Sequence, residues 1–106
     1  MQIVIPMSGF GERFKRAGYK VPKPLIEIDN KPIIQHVVEM FPGDNDIIFI
    51  CNEDHLNNKK YKMRKILTKV APSALIVAIK PHKLGPIHAV LQSIKFIDQS
   101  QPVIVN

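Results

Sequence analysis

The stretch Ile47-Ile48-Phe49-Ile50-Cys51 is an unbroken apolar run without polar alternation. A strand with one face in solvent alternates apolar and polar residues, whereas a parallel strand covered on both faces is apolar throughout. The stretch therefore predicts a buried strand. Further strands are predicted outward from it at residues 2–6, 74–79 and 102–105, with a weaker short one at 25–28.

Between these strands the apolar residues recur at helical spacing. The segments 34–41, 63–70 and 87–94 each carry them at i, i+3, i+4 and i+7. Pro32 suits the first turn of the first helix, and Pro42-Gly43 supplies its end. The alternation of strand and helix predicts the α/β class, with a Rossmann-like, open, mostly parallel sheet and helices on both faces.

The composition limits the classes of protein to which the chain can belong. The chain has 106 residues, of which 45% are hydrophobic and 23% charged, as in a globular domain. No apolar run approaches the roughly 20 residues that span a bilayer, and we expect no membrane association. The single cysteine, Cys51, excludes an intramolecular disulfide and fits a cytoplasmic location. The net charge of +6 suggests an anionic partner.

The last predicted strand ends beside Asn106, at the end of the chain. In open α/β sheets ligands bind just outside the carboxyl ends of strands. The chain therefore ends at the point where ligand-binding residues would be expected. We expect residues 1–106 to be the N-terminal part of one larger domain, truncated after the fourth strand. A complete small four-stranded domain is the alternative. A truncated sheet has an apolar edge, which makes self-association of the chain a risk.

Two glycines, Gly9 and Gly11, directly follow the first strand. Glycines there let successive N–H groups converge on an anion, as in phosphate-binding nests. A dinucleotide fingerprint is excluded because Phe14 occupies the position of its third glycine, and the chain has no Gly-Lys-Ser/Thr of a P-loop. From spacing alone, a plain tight turn is as good an interpretation as a phosphate loop.

Cations cluster behind this loop, opposed only by Glu12. They are Arg13, Lys15, Arg16, Lys20 and Lys23. Pro22 and Pro24 bracket Lys23, and each proline fixes its own φ and favours an extended predecessor, so Lys23 is predicted to lie on a stiff segment. Arg13 can offer a bidentate fork to phosphate and Lys23 a point charge.

Four segments carry a resemblance to a known family. Residues 8–13 (SGFGER) followed by 21–26 (VPKPLI) resemble the signature of the sugar-phosphate nucleotidyltransferases, the nucleoside-diphosphate-sugar pyrophosphorylases. Residues 29–34 (DNKPII) resemble the family's next stretch, and 84–91 (LGPIHAVL) resemble its glycine-led helix after the third strand. The similarity runs over nearly the whole chain in the correct order, which is far more specific than two glycines.

The resemblance implies a reaction in which a sugar 1-phosphate and a nucleoside triphosphate give a nucleotide-sugar and pyrophosphate. The attacking phosphate oxygen is already ionised near neutral pH, so no general base is required. Such chemistry depends on positioning and on charge stabilisation by cations and Mg²⁺. The chain would be the nucleotide-binding part of the enzyme, and by itself it is expected to be inactive.

The resemblance also implies roles for individual residues. Met7, Ser8 and Gly9 would meet the nucleotide through their backbone. Gly11 and Arg13 would hold the triphosphate, Lys23 would contact phosphate at the reacting centre, and Gly85 would approach the nucleobase or sugar. Arg13 and Lys23 are the predicted catalytic residues.

Three departures from the family pattern matter. Glu12 stands where the family usually has Ser or Thr, so its role in a phosphate loop is open. Lys80 stands where many members have a Gln that contacts the nucleobase, so the nucleotide preference does not transfer. The family's metal-binding aspartate comes just after the fourth strand, which places the expected Mg²⁺ ligands beyond Asn106.

Two other classes of function were weighed against this one. A non-catalytic nucleotide- or phosphate-binding module remains the first alternative. Nucleic-acid binding is less favoured, because the cations predicted to share the helix at 59–69 are accompanied by no nucleic-acid-binding motif and are typical of a solvated face. The histidines His36, His55, His82 and His88 show no metal-ligand spacing, and we expect surface or capping positions. Glu53 and Asp54 are predicted to be turn and cap formers in a loop after the second strand.

Overall fold

A four-stranded parallel sheet forms the centre of the protein. The computed structural model describes residues 2–8, 16–18, 20–41, 43, 46–80, 86–92 and 103–105. In chain order its elements are β1 (Gln2–Met7), a 3₁₀ turn (Lys23–Leu25), β2 (Glu27–Ile28), β3 (Lys31–Pro32), α1 (Ile33–Glu39), β4 (Asp46–Asn52), α2 (Glu53–Asn57), α3 (Met63–Val70), β5 (Leu75–Ile79), α4 (Pro86–Gln92) and β6 (Val103–Val105).

The strand order is β5-β4-β1-β6, and every neighbouring pair is parallel. The chain steps outward from β1 to β4 and β5, then returns to the other side of β1 with β6. The order therefore reverses at β1. In doubly wound sheets such a reversal opens a crevice outside the carboxyl ends of the two strands that flank it.

One face of the sheet is covered by α1 and α3. Alternate residues of β1 and β4, among them Ile5 and Phe49, pack there against Ile34 of α1 and Leu67 of α3. Phe49 and Leu67 are fully buried. The apolar spacing of α3 explains this position, since Met63 and Leu67 lie one helical turn apart on a single face.

The other face of the sheet carries α4. The intervening residues of the same strands, Val4, Ile48 and Ile50, pack with Val77 of β5 and Ala89 of α4. Both faces of β1 and β4 are thus apolar and covered, which is why residues 47–51 show no alternation. The predicted fold, a mostly parallel sheet with helices on both faces, is confirmed.

A small hairpin precedes α1. β2 and β3 pair antiparallel, and the two residues between them, Asp29 and Asn30, have positive φ angles of 52° and 65°. Two consecutive residues in this region are typical of a type I′ turn, where Asp and Asn are tolerated. The predicted strand at 25–28 therefore exists only as the two residues of β2.

Two side-chain contacts tie the hairpin to α1. Lys31 Nζ lies 3.2 Å from both carboxylate oxygens of Glu39, and His36 Nε2 lies 2.6 Å from the carbonyl oxygen of Ile28. The hydrogen bond from Lys31 is the main cause that lowers the pKa of Glu39. Both partners of the ion pair are half exposed, so its contribution to stability is small.

Two local predictions need correction. β1 does not end at Pro6 but continues to Met7, because Pro6 keeps its place in register opposite Ile50 despite lacking an N–H. The segment after β4 is not a loop but the helix α2, which begins with Glu53 and Asp54. In the described part of the chain, no helix is long and apolar enough to cross a membrane.

The chemical reactivity of Cys51 provides a test of the burial of the central strands. The thiol is fully buried, and burial raises its pKa to about 12, although the guanidinium of Arg64 acts in the opposite direction. We predict that iodoacetamide at pH 8 modifies Cys51 only in the unfolded protein, measured by mass spectrometry with and without urea. Rapid modification without denaturant would contradict this burial.

The raised pKa of Cys51 predicts how the stability of the fold depends on pH. The fold favours the neutral thiol of Cys51, so this stabilisation is complete below the ordinary pKa of 9.0 and declines as pH rises towards 12. The free energy of unfolding should therefore fall more steeply above pH 9 in the native protein than in Cys51→Ala. Lysines and tyrosines titrate in both proteins, so the alanine variant is the control.

Candidate functional site

The carboxyl ends of β1, β4 and β5 lie side by side. The register pairs Met7 with Cys51 and Cys51 with Ala78. Because neighbouring strands are about 4.8 Å apart, β5 lies about 10 Å from β1 along this edge. The residues that follow these positions, Ser8, Asn52 and Ile79, therefore share one edge of the sheet, and Lys80 comes one residue after Ile79.

Met7 and Ser8 lie at the centre of that edge. Met7 is the last residue of β1 and belongs to the cluster beneath α1 and α3. Ser8 follows it and is only 2% exposed. β6 ends opposite Val4, so β1 reaches further along the edge than the described part of β6. The end of β1 is thus held rigidly where the strand order reverses.

Lys23 is presented on a short 3₁₀ turn. Its side chain is exposed, whereas Leu25 and Ile26 just after it are buried. Leu25 N donates to the carbonyl of Pro22 at 2.9 Å, and Ile26 N donates to that of Lys23 at 3.1 Å. Pro22 is extended, with ψ of 151°, but Lys23 begins the turn instead of being extended. The turn is anchored by Leu25, which shares a buried cluster with Met7.

Lys80 follows β5 directly and is exposed. It is two strands away from β1, so the structure places it on the same edge as Ser8 but toward its outer end. The remaining predicted site residues lie outside the described residues. These are Gly9, Gly11, Glu12, Arg13 and Gly85.

Asn52 is a buried polar residue that the motifs did not single out. It is 1% exposed at the carboxyl end of β4, and its Oδ1 accepts a hydrogen bond from the backbone N–H of Asp54 at 2.8 Å. Asn52 is therefore the N-cap of α2, and Glu53 and Asp54 form the acidic first turn that favours a helix start. The order Asn-Glu-Asp after a strand was the sequence signal for this cap.

The histidines fall into different environments. His36 caps the hairpin carbonyl described above, as expected of a capping histidine. His55 is buried on α2, contrary to the expected surface or capping position, because α2 packs against the sheet edge. Its ring meets Tyr61 edge-on, with centroids 5.9 Å apart. Among the described residues, no three His, Cys, Asp or Glu side chains lie close enough together to hold a metal ion.

The basic segment at 59–69 is not one helix. α3 begins at Met63, while Lys59 and Lys60 lie in the preceding turn. Lys62 precedes the helix in the left-handed region, with φ of 52°. Of the predicted apolar stripe of α3, Met63 and Leu67 are buried and Ile66 and Val70 are half-buried, while the cations of the helix are exposed.

Comparison with known proteins identifies the family. The family model described as nucleotidyl transferase matches residues 3–106, and the chain belongs to this family. The UTP--glucose-1-phosphate uridylyltransferase 1 of Staphylococcus saprophyticus is 35% identical over 85 residues, which cover 73% of this chain and 29% of that protein. The bifunctional protein GlmU of Paraburkholderia phymatum is 30% identical over 105 residues, covering 99% of this chain and 21% of that protein.

A solved structure supports the fold. The crystal structure of a UDP-glucose pyrophosphorylase complexed with UDP-glucose matches with a TM-score of 0.66 and 22% identity, over 98% of this chain and 43% of that one. The putative UTP--glucose-1-phosphate uridylyltransferase of Methanocaldococcus jannaschii is 35% identical over 84% of this chain and 34% of its own length. The chain thus spans about a third or less of the curated relatives described here.

The capping hydrogen bond of Asn52 predicts a measurable loss of stability when this residue is replaced. Asn52→Ala removes the acceptor for the Asp54 N–H and should lower the free energy of unfolding by about 1 kcal/mol. Asn52→Ser keeps a capping oxygen and should lose less. Urea denaturation of both variants checks the order. Equal losses in the two variants would show that Asn52 acts through packing and not through the cap.

Proposed function

We propose that the protein transfers a nucleotidyl group from a nucleoside triphosphate to a sugar 1-phosphate. A phosphate oxygen of the sugar phosphate would attack the α-phosphorus of the triphosphate. The bond from that phosphorus to the oxygen bridging it to the β-phosphate would break, and pyrophosphate would leave. The family match over residues 3–106 carries this proposal.

Two further observations support the proposed reaction. The relatives from Staphylococcus and Methanocaldococcus are named for uridylyl transfer to glucose 1-phosphate, and the similar solved structure holds UDP-glucose. In the present chain the strand order reverses at β1, so Met7 and Ser8 lie at the edge where such a ligand would bind. UTP and glucose 1-phosphate are therefore the first substrates to test.

The proposed roles of the individual residues follow from their chemistry. The backbone around Met7 and Ser8, together with Gly9 and Gly11, would hold the nucleotide. Arg13 would stabilise the departing pyrophosphate, and Lys23 would neutralise charge at the reacting phosphate. The anchored turn beneath Lys23 limits the entropy lost when its ammonium group engages phosphate. Glu12, Lys80 and Gly85 would lie near the nucleotide.

Mg²⁺ is part of the proposal, but the described residues do not supply a site for it. No cluster of three potential ligands occurs among them, and we assign no step to the metal. The steps above depend on the chain's own cations and backbone. The proposed cytoplasmic location agrees with the reduced, buried Cys51.

The proposed function is tested by pyrophosphate release. The whole protein, as its gene encodes it, is incubated with UTP and glucose 1-phosphate, and pyrophosphate and UDP-glucose are both measured. One pyrophosphate per nucleotide-sugar is the expected result. Nucleotide binding without turnover of any triphosphate and sugar phosphate pair would favour the non-catalytic module instead.

Lys23→Ala should lower kcat/KM by about 100-fold, because it removes a cation from the charge that develops at the reacting phosphates. Lys65→Ala is the matched control, since Lys65 is an exposed lysine on α3, outside the predicted site. Its kcat/KM should stay within about twofold of the native value. Equal effects of the two substitutions would remove Lys23 from the reacting centre.

A further inference from the structure

A group of exposed lysines lies between the end of α2 and the start of α3. Lys59, Lys60 and Lys62 are exposed, and none of them forms an ion pair within the described ranges. We refer to these three residues as the edge lysines. The sequence contains no acid between His55 and Ile97, and the nearest acids before the edge lysines along the chain are Glu53 and Asp54 at the start of α2.

Topology places the edge lysines near the carboxyl edge of the sheet. α2 begins directly after β4 and contacts both β4 and β5. α3 is the crossover that leads from this edge back to the start of β5, so its first residues are nearest the edge. The edge lysines precede α3 and therefore lie on the same side of the molecule as Ser8 and Lys80.

The surface around these lysines is charged and has few exposed apolar or aromatic groups. Met63 and Leu67 of α3 are buried in the core and are unavailable to a membrane. Tyr61 is half-buried and its ring meets that of His55 edge-on, so the one aromatic residue among these lysines is only partly accessible for stacking on bases. A surface with charge alone accelerates the encounter with an anion more than it prolongs the bound state.

We propose that the edge lysines steer the polyanionic substrates, a nucleoside triphosphate and a phosphorylated sugar, toward the carboxyl edge of the sheet. The proposal rests on the proposed function, because it requires these substrates to bind at that edge. It assigns to the edge lysines a role in the association rate constant and none in the reaction step.

Distance decides which cations can act in this way. Lys69 lies six residues beyond Met63 on α3, which is about 9 Å further from the edge at 1.5 Å per residue. The Debye length at physiological ionic strength is about 8 Å. Screening alone therefore weakens the field of Lys69 at the edge about threefold relative to a charge at the start of the helix.

The test compares two charge reversals of equal size in the whole protein. Lys59→Glu/Lys60→Glu alters the edge lysines, and Lys65→Glu/Lys69→Glu alters exposed lysines on α3 that also lack ion pairs among the described residues. The association rate constant of a fluorescent UTP analogue is measured by stopped flow between about 20 and 300 mM salt. The dissociation rate constant is taken from the same traces.

The expected result is a fall in the association rate constant of about five- to tenfold at low salt for the edge reversal. Its dissociation rate constant should be unchanged, and its salt dependence should flatten. The α3 reversal should change association less, by about two- to threefold, because Lys65 lies only about 3 Å beyond Met63 along the helix whereas Lys69 lies about 9 Å beyond it. This asymmetry would not arise from net charge or from a loss of folding.

Three outcomes would overturn the proposal. If native protein binds the UTP analogue and both reversals slow it equally, net charge and not the edge lysines is responsible, while the proposed function stands. If both reversals equally weaken binding of a DNA duplex at 150 mM salt, the whole basic face is a nucleic-acid surface. If native protein binds neither the UTP analogue nor any other nucleoside triphosphate at any salt concentration, the proposed function fails together with the steering.

Discussion

The parallel pairing of β1 between β4 and β6 is the constraint on which the rest of the structure depends. The pairing with β4 runs through the whole of β1, from Gln2 to Met7, and β6 pairs with its first half. Because both faces of β1 are covered, a register slip of one residue would exchange the two apolar layers. The position of Ser8 at the edge of the sheet follows from this register.

The same constraint explains the distribution of polar groups. Buried polar residues such as Ser8 and Asn52 lie at the carboxyl ends of strands, where the apolar layers end. Asn52 is retained in this buried position because its side chain caps α2. Two exposed cations of the predicted site lie on separate elements, Lys23 on an anchored turn and Lys80 after the outer strand. The arrangement combines a rigid centre with charged side chains that can approach a polyanion.

Most of the fold could be predicted from apolar spacing alone. The unbroken runs at residues 47–51 and 74–79 predicted parallel strands covered on both faces, which holds for β4 but not for β5, whose edge position leaves Leu75 and Ala78 exposed. The spacing in 63–70 predicted α3, but the helix was also expected to include Lys59 to Lys62, which precede it. The helix α2 was missed because five residues are too few to show a period. Burial of His55 was missed because it depends on where α2 packs and not on local sequence. The site residues were predicted from the segments at 8–13 and 21–26. That Ser8, Asn52 and Lys80 lie along the same edge of the sheet could be known only from the strand order.

We infer that a nucleotide binds at the carboxyl end of β1, where the strand order reverses. Hydrogen–deuterium exchange of the whole protein with and without saturating UTP tests this most directly. We expect UTP to slow exchange in peptides that cover Met7, Ser8 and the residues just after them, and to leave the second half of α3 unchanged. Protection confined to α3, or to the hairpin and α1, would contradict it.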